Sequence, residues 1–441
     1  MSRLILTASL LGEVRAALLA SSNEACAILC GRAVLDGDKL VRLVVREAIY
    51  PTAEDYEVRT EIAARLKPAF VAGMAQRARN SGESIVFAHS HPFPLNAFSK
   101  TDDTGEQALA EFLTQRTPDT RHAALLVTPE VTIARELGTD RTLRVCGVGE
   151  TLVFGDDLAP SGDEVKYDRQ IRMFGQRGQQ RLNDLRIGIV GLGGTGSVIL
   201  EQLLHLGVRK YCLVDPDIVD RSNLNRLVGA TDSDIGQSKV SVAASMVRRT
   251  QPTASIEEVA DSVLLAKVAS RLLDVDFLFC CTDSQGSRSV LNQLAYQYLI
   301  PSIDLGVSIV ASKAGITHLA GRTNMLAPGL GCFVCGNLLD PEAVRVDLLT
   351  EYERNADPYV IGTREPAPAV ISLNSTMASM AVTMFMAATL GIPSSARYIN
   401  YNGMAGTARP AAISQHPKCV VCSPRGSLAR GAEWPMPGRL E

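Results

Sequence analysis

Apolar residues in the first 150 positions fall into short blocks. Ala25-Cys26-Ala27-Ile28-Leu29-Cys30 is continuously apolar and meets Gly31, which predicts a buried strand ending there. Leu40 to Ile49, Ser84 to His89 and Ala123 to Thr128 read as further strands. Glu61 to Arg79 and Thr104 to Gln115 carry apolar residues at helical spacing. This region is α/β or α+β with a central sheet. Around Gly155 to Glu164 the pattern gives way to Gly, Pro, Ser and Asp, the composition of a linker. A polar helix, Lys166 to Asp184, follows. Then come a buried strand, Arg186 to Val190, a turn over Gly191-Leu192-Gly193-Gly194-Thr195-Gly196, and an apolar helix to Leu206. A strand from Lys210 to Val214 ends in Asp215, and a third strand, Phe277 to Cys281, is followed by Asp283. Strand, glycine turn, helix and acid-tipped strand predict a doubly wound, Rossmann-like α/β domain for nucleotides. The expected division is a domain over 1–153, a linker over 154–166 and a second domain over 167–441.

Composition agrees with a globular chain. Of 441 residues, 46% are hydrophobic and 21% charged, and Lys+Arg 44 against Asp+Glu 47 leaves a net charge of −3. No basic field marks a nucleic-acid partner. The longest apolar block, Met377 to Ile392, is broken by Ser and Thr and is shorter than the roughly 18–20 residues of a membrane span. It reads as a buried helix, with no membrane partner. The first residues lack the apolar core of a leader. A cytoplasmic location is expected, with the ten cysteines as thiols or metal ligands rather than disulfides.

Two of the six histidines stand in His89-Ser90-His91-Pro92, followed by Ser99 and Asp102. On a strand, positions i and i+2 share a face, so both imidazoles can meet one metal. With Asp102 as third ligand, the set suits a catalytic zinc with an open position, where bound water becomes a nucleophile. Glu24 is a candidate general base, and Ser99 a donor to a developing oxyanion. This spacing, with Asn23-Glu24-Ala25 upstream, resembles the JAMM (MPN-plus) metalloproteases: a distant Glu, then His-x-His-Pro, six residues and Ser-x-x-Asp. Ala27 stands where that family usually has Gly. The resemblance implies a JAMM-type α/β domain that cleaves peptide or isopeptide bonds after the C-terminal Gly of ubiquitin-like proteins or related carriers. It also implies zinc on His89, His91 and Asp102, Glu24 as the base, and Ser99 polarising the carbonyl.

In the second domain the glycine turn alone leaves NAD and ATP open. Asp215-Pro216-Asp217, Ser222-Asn223-Leu224-Asn225-Arg226, Gly236-Gln237-Ser238-Lys239 and Thr282-Asp283-Ser284 favour an adenylating enzyme. Such an enzyme needs cations for a triphosphate and a carboxylate for Mg²⁺. With Tyr167-Asp168-Arg169-Gln170, these motifs resemble the ubiquitin-activating superfamily, including the molybdopterin-synthase and thiamine-biosynthesis adenylyltransferases. The resemblance implies nucleotide contacts from Gly191, Gly193, Gly194, Gly196, Asp215, Asp217, Ser222, Asn225 and Ser284. It gives Asn223, Arg226 and Lys239 to the phosphates and Asp283 to Mg²⁺. It also implies a homodimer in which Arg169 reaches the partner's ATP site.

Cys332-Phe333-Val334-Cys335 and Cys419-Val420-Val421-Cys422 are two Cys-x-x-Cys pairs, suited to one structural Cys₄ zinc closing a long loop. Gly336 to Lys418 contains no cysteine. That departs from activators that form a thioester, and it favours direct transfer of an acyl-adenylate. Arg345 to Arg364 is expected as a loop over the acyl site. The combined expectation is a bifunctional enzyme that trims a ubiquitin-like or sulfur-carrier protein to its C-terminal Gly and adenylates the exposed carboxylate. A downstream conjugating or sulfurtransferase protein would be a further partner. A peptide-modifying adenylyltransferase, a cysteine- or cofactor-biosynthetic sulfur system and a non-catalytic assembly module remain as alternatives.

Overall fold

Residues 2–155, 165–313, 315–357 and 368–440 are described by the computed structural model. They divide into one unit of Met1–Asp157, Gln297–Leu299 and Ser427–Pro435, and another of Leu158–Tyr296, Ile300–Gly426 and Met436–Glu441. Most of the expected linker, residues 156–164, lies outside the described residues.

In the first unit, β1 (Arg3–Thr7) runs into α1 (Ala8–Leu18), whose first turn is capped by the Thr7 side chain accepting from Leu10 N. Strand β2 (Cys26–Asp36) does not stop at Gly31 but continues through it. A Cβ at Gly31 would lie 2.1 Å from Val44 O on β3 (Lys39–Ile49), and the β2–β3 register shifts at Cys30/Gly31. This glycine admits the neighbouring backbone at a bulge. The helix expected from Glu61 begins only at Pro68. A hairpin of β4 (Tyr56–Arg59) and β5 (Ala64–Leu66) occupies the intervening chain, and α2 spans Pro68–Ser81. Proline suits the first helical turn because its fixed φ and missing N–H cost nothing there.

After β6 (Ser84–Ser90), α3 (Lys100–Thr114) starts four residues before the expected Thr104. Ser99 and Asp102 form a capping box that nucleates it earlier. Strands β7 (Ala123–Val127), β8 (Thr132–Glu136), β9 (Thr142–Val148) and β10 (Val153–Phe154) complete a sheet ordered β1-β3-β2-β6-β7-β8-β9-β10. Because β1 pairs in parallel with both β3 and β9, the sheet closes on itself. Ala27 and Leu29 pack with Leu11, Val14 and Leu18 of α1. Ile28, Cys30 and Ile85 face Ala75, Ala78 and Leu113 of α2 and α3. Both faces of β2 are covered, which explains its unbroken apolar run.

The second unit opens with α4 (Asp168–Asp184), kinked at Gly175 (φ 74°, ψ 167°), then β11 (Arg186–Val190), α5 (Gly194–Leu206) and β12 (Lys210–Val214). There follow α6 (Lys239–Thr250), β13 (Ser255–Val259), α7 (Ala266–Ala269), β14 (Phe277–Cys280), α8 (Gln285–Gln297), β15 (Ser302–Ser312) and β16 (Gly315–Leu326). Helices α9 (Pro341–Leu348), α10 (Glu351–Ala356) and α11 (Ile371–Leu390) precede β17 (Tyr398–Asn402) and β18 (Thr407–Pro410). The sheet order is β13-β12-β11-β14-β15-β16-β17-β18, parallel as far as β15 and antiparallel beyond it. The segment expected as a loop from Arg345 is largely helical, in the end of α9 and in α10, broken only at Leu349 and Thr350, and its residues 358–364 lie outside the described ones. Helix α11 begins at Ile371, six residues before the apolar block predicted, and is long and apolar enough by length and composition to cross a membrane. Just over half of that span is buried against the protein itself (56%), with Phe385 edge-on to Phe277 and Phe279 of β14.

Candidate active sites

Alternation along β6 directs Ile85 and Phe87 toward the α2/α3 side, and His89 takes the same face. The capping box sets Asp102 in the first turn of α3 on that side. His89 Nε2 lies 3.3 Å from Asp102 Oδ1, and His91 Nε2 lies 3.4 Å from Asp102 Oδ2. The three donor atoms lie within 4.8 Å of one another. His91 Nδ1 is 3.2 Å from the Leu95 carbonyl, which fixes the proton on Nδ1 and leaves the Nε2 lone pair facing the cluster. His89 Nε2 is buried and makes no hydrogen bond. Two nitrogens and a carboxylate converging with one nitrogen unsatisfied fit a catalytic zinc.

The six residues between the motif halves shape this site. Phe93 stacks on His91 (5.7 Å, 4° between planes), and Phe98 lies 6.0 Å from His89. The Arg135 guanidinium covers Phe98 at 4.0 Å and pairs with Glu106 and Asp103 of α3.

Glu24, just before β2, is buried with Oε1 3.8 Å from His91 Nε2. Burial pushes its pKa up, partly offset by His91 and His89, which suits a proton acceptor. Burial also opposes ionisation of Asp102, but His89 and His91 hold that carboxyl well below its ordinary range. Ser99 Oγ accepts from Asp102 N at 3.2 Å, and Ser99 N donates to Asp102 Oδ2 at 2.6 Å. Its hydroxyl proton has no acceptor among the described residues.

In the second unit Gly191 needs its glycine: φ is 90°, and a Cβ would lie 2.6 Å from Cys281 O. Gly196 abuts Gly191 O, and Gly194 faces the Asn374 side chain. Gly193 caps α5, and a Cβ there would meet nothing within 4 Å, so this side of the turn has room for a ligand at the helix N-terminus. Asp215 is buried and accepts from Leu192 N (2.6 Å) and Asp217 N (2.8 Å). Burial pushes its pKa up, opposed by those amides and by Lys239. It braces the glycine turn, and each oxygen retains a lone pair for a ribose hydroxyl. Lys239 pairs with Asp217 at 2.7 Å.

In the Cys₄ cluster, Cys332 and Cys419 sulfurs are 3.5 Å apart, as are those of Cys335 and Cys422. That is far beyond a disulfide bond and close to the spacing of about 3.8 Å between thiolates on a tetrahedral Zn with Zn–S of about 2.3 Å. His416 N and Val421 N donate to Cys335 and Cys419 sulfurs. The donor set fits zinc.

The description of the ThiF family matches residues 167–421, more than half of the chain. The chain belongs to the ThiF family. Its N-terminal part, residues 7–137, matches the prokaryotic homologs of the JAB domain, so the chain joins a JAB domain to a ThiF domain. The molybdopterin-synthase adenylyltransferase of Escherichia coli (strain K12) is 30% identical over 262 residues, 58% of this chain and 96% of that protein. The SAMP-activating enzyme E1 of Haloferax volcanii is 29% identical over 265 residues, 59% of this chain and 89% of that one. The crystal structure of E. coli MccB with ATP aligns at 18% identity and a TM-score of 0.47, over 59% of this chain and 75% of that chain.

Not every expected ThiF residue joins the cradle. The Arg226 stem lies against the turn, its Cγ 3.2 Å from a Cβ built on Gly194, while its guanidinium donates to Ser222 O (2.7 Å) and Asn225 Oδ1 (3.1 Å); Asn223 Oδ1 accepts from Asp220 N. Asp283 is exposed beyond β14, and Ser284 donates to Asp347 Oδ2 at 2.8 Å. Arg169 is exposed near the start of α4. Two ThiF residues were not anticipated. Asn374 is a buried polar side chain against Gly194, visible in sequence as a lone amide near the start of an otherwise apolar helix. Asp347 caps α8 by accepting from Gly286 N at 3.0 Å, for which the sequence offers no signal.

Proposed function

We propose that the chain is a two-site enzyme of ubiquitin-like or sulfur-carrier metabolism, with a zinc (iso)peptidase in residues 1–153, a linker over 154–166 and a carboxylate-adenylating site in 167–441. The reading rests on one observation: a buried acid beside a His-His-Asp donor set shares a chain with a ThiF domain whose glycine turn is open at Gly193. The named relatives support it, since an adenylyltransferase of molybdopterin synthase and a SAMP-activating enzyme E1 align across the ThiF domain.

At the first site, His89, His91 and Asp102 would hold zinc, which supplies a polarised water and a Lewis acid. Glu24 takes the attacking water's proton and returns it to the departing amine. The free hydroxyl proton of Ser99 is available to the carbonyl oxygen. At the second site, an oxygen of the newly exposed carboxylate bonds to the α-phosphorus of ATP, and the bond from that phosphorus to the bridging oxygen breaks. Pyrophosphate leaves and an acyl-adenylate forms. Gly193, Arg226 and Lys239 receive the phosphates, Asp215 the ribose, and Asp283 a Mg²⁺ ion. Cys332, Cys335, Cys419 and Cys422 would hold the second, structural zinc. A homodimer would bring Arg169 to the partner's ATP. A reducing, cytoplasmic setting would keep the Cys₄ thiols available.

The test is ATP–pyrophosphate exchange with a ubiquitin-like protein ending in Gly-Gly, offered trimmed or with extra C-terminal residues, to wild type and Glu24→Gln. The trimmed form should support exchange with both enzymes, the extended form with wild type alone. Exchange with a short peptide and with neither carrier form would sink the carrier reading.

A further inference from the structure

The adenylation reading leaves one buried cluster without a role. Asp304 on β15 is fully buried and accepts from Arg288 Nε of α8 at 3.0 Å and from Arg322 Nη2 of β16 at 3.4 Å. Both guanidiniums stay protonated, and Asp304 is the one carboxylate they are seen to hydrogen-bond; the exposed Asp283 acts on Arg288 only through space. The adjoining Cys280 thiol does not restore balance, because burial keeps it neutral. Arg288 uses only Nε and Arg322 only Nη2 toward an acceptor, leaving the other guanidinium N–H groups without one among the described residues. A largely buried cation in excess is unfavourable until an anion meets it.

The cluster's position indicates which anion. Asp304 is the register partner of Cys280, the last residue of β14, and Cys280 is next to Val190 at the end of β11. The cluster therefore lies about two strand spacings, about 10 Å, from the glycine turn, level with the carboxyl ends where open α/β sheets bind ligands. Gly306 faces Arg322 in register, and a Cβ there would come within 3.1 Å of Arg288 Nη2, so the glycine keeps space beside the guanidinium. Asp215 and Lys239 lie on the β12 side of the β11–β14 pair, and the arginines lie on the β15–β16 side. In an in-line displacement, the attacking and departing oxygens occupy opposite sides of the phosphorus. The β15–β16 side is then the one from which the nucleophile arrives.

We infer that Arg288 and Arg322, held by Asp304, receive the C-terminal carboxylate of the acyl substrate before it attacks ATP. This rests on the adenylation reading above and names the group that orients its nucleophile. The arginines neutralise the carboxylate and aim one oxygen at phosphorus, and they exchange no proton.

The probe is a ubiquitin-like protein ending in Gly-Gly, prepared as the free acid and as the C-terminal amide. Wild type should bind the acid more tightly than the amide. Arg322→Gln should erase that preference and raise the KM for the acid about 10- to 100-fold, as expected for a lost charge-assisted hydrogen bond. The KM for ATP should move less than about twofold. Arg322→Lys, which keeps the charge but not the fork, should fall between the two, and it carries the test if Arg322→Gln loses its thermal transition. A rise in the KM for ATP in place of that for the carrier would assign the cluster to a phosphate and overturn the inference, as would an unchanged preference for the acid. Absence of exchange by wild type would instead bring down the adenylation reading, and the inference with it.

Discussion

Gly193 and Gly196 stand three residues apart in one turn, and alanine at each should do opposite things. At Gly196 the added Cβ would lie 1.9 Å from Gly191 O and 2.9 Å from its carbonyl carbon. Both are backbone atoms, held by Gly191 N donating to Val214 O at 2.9 Å. The turn has to move bodily, and overpacking of that kind costs about 1–3 kcal/mol. A central value of about 2 kcal/mol lowers the thermal midpoint of a domain this size by roughly 4–8 °C. At Gly193, φ is −76° and the Cβ would meet no atom within 4 Å. Alanine there should leave the midpoint unchanged or raise it slightly, since it narrows the unfolded ensemble. If the open side is where the nucleotide lies, the methyl group displaces it, and the KM for ATP should rise at least about 10-fold, the factor for about 1.4 kcal/mol. Differential scanning fluorimetry and pyrophosphate exchange on both variants decide the matter. Equal loss of stability in the two, or an unaltered KM for ATP in a folded Gly193→Ala, would refute the division of this turn into packed and open glycines.

Two further predictions address other parts of the chain. Cys419→Ser should remove one zinc per chain by elemental analysis while leaving the His89–His91–Asp102 zinc, and it should expose the segment around Cys422 to limited proteolysis; unchanged zinc content would refute the Cys₄ assignment. His122 is buried, accepts from Ile85 N through Nδ1 and lies 2.8 Å from Thr117 Oγ1 through Nε2, and burial pushes its pKa down to about 4. The unfolded state, with a pKa of about 6.5, then binds the proton more readily, so stability is whole above about pH 6.5 and falls toward pH 4 by roughly 3 kcal/mol. His122→Gln should flatten that part of the stability profile of the first unit, and an unaltered slope would refute the account.

The grouping of the candidate residues was more legible in the sequence than the architecture around them. Strand, glycine turn and acid are local and obligatory for a phosphate cradle, so β11, α5 and Asp215 lie where the pattern places them. His89 and His91 were readable as a pair from their spacing of two; His91 lies one residue past the end of β6, yet both imidazoles converge on Asp102. Gly31 was misread as a stop because a run of residues does not reveal whether a glycine ends a strand or admits its neighbour's backbone. The helix expected from Glu61 failed because helical spacing persists through a hairpin too short to show its own period, and Pro68 was the better boundary. Asp347 and the Arg288–Asp304–Arg322 cluster were invisible, since they join elements far apart in sequence and each residue alone reads as a surface charge.

Ser99 and Asp102 exchange two hydrogen bonds that begin α3, and the same Asp102 supplies the oxygen facing His89 and His91. Starting a helix is the unfavourable step of its formation. A cation held by Asp102 would also hold the turn that initiates α3, so metal affinity and the fraying of that turn become one equilibrium. Exchanging Asp102 for a histidine or cysteine, which would keep a donor for zinc, would still loosen the metal by removing the carboxylate that caps the helix. With a metal bound there, its ligands could not be exchanged one by one without also changing where α3 starts.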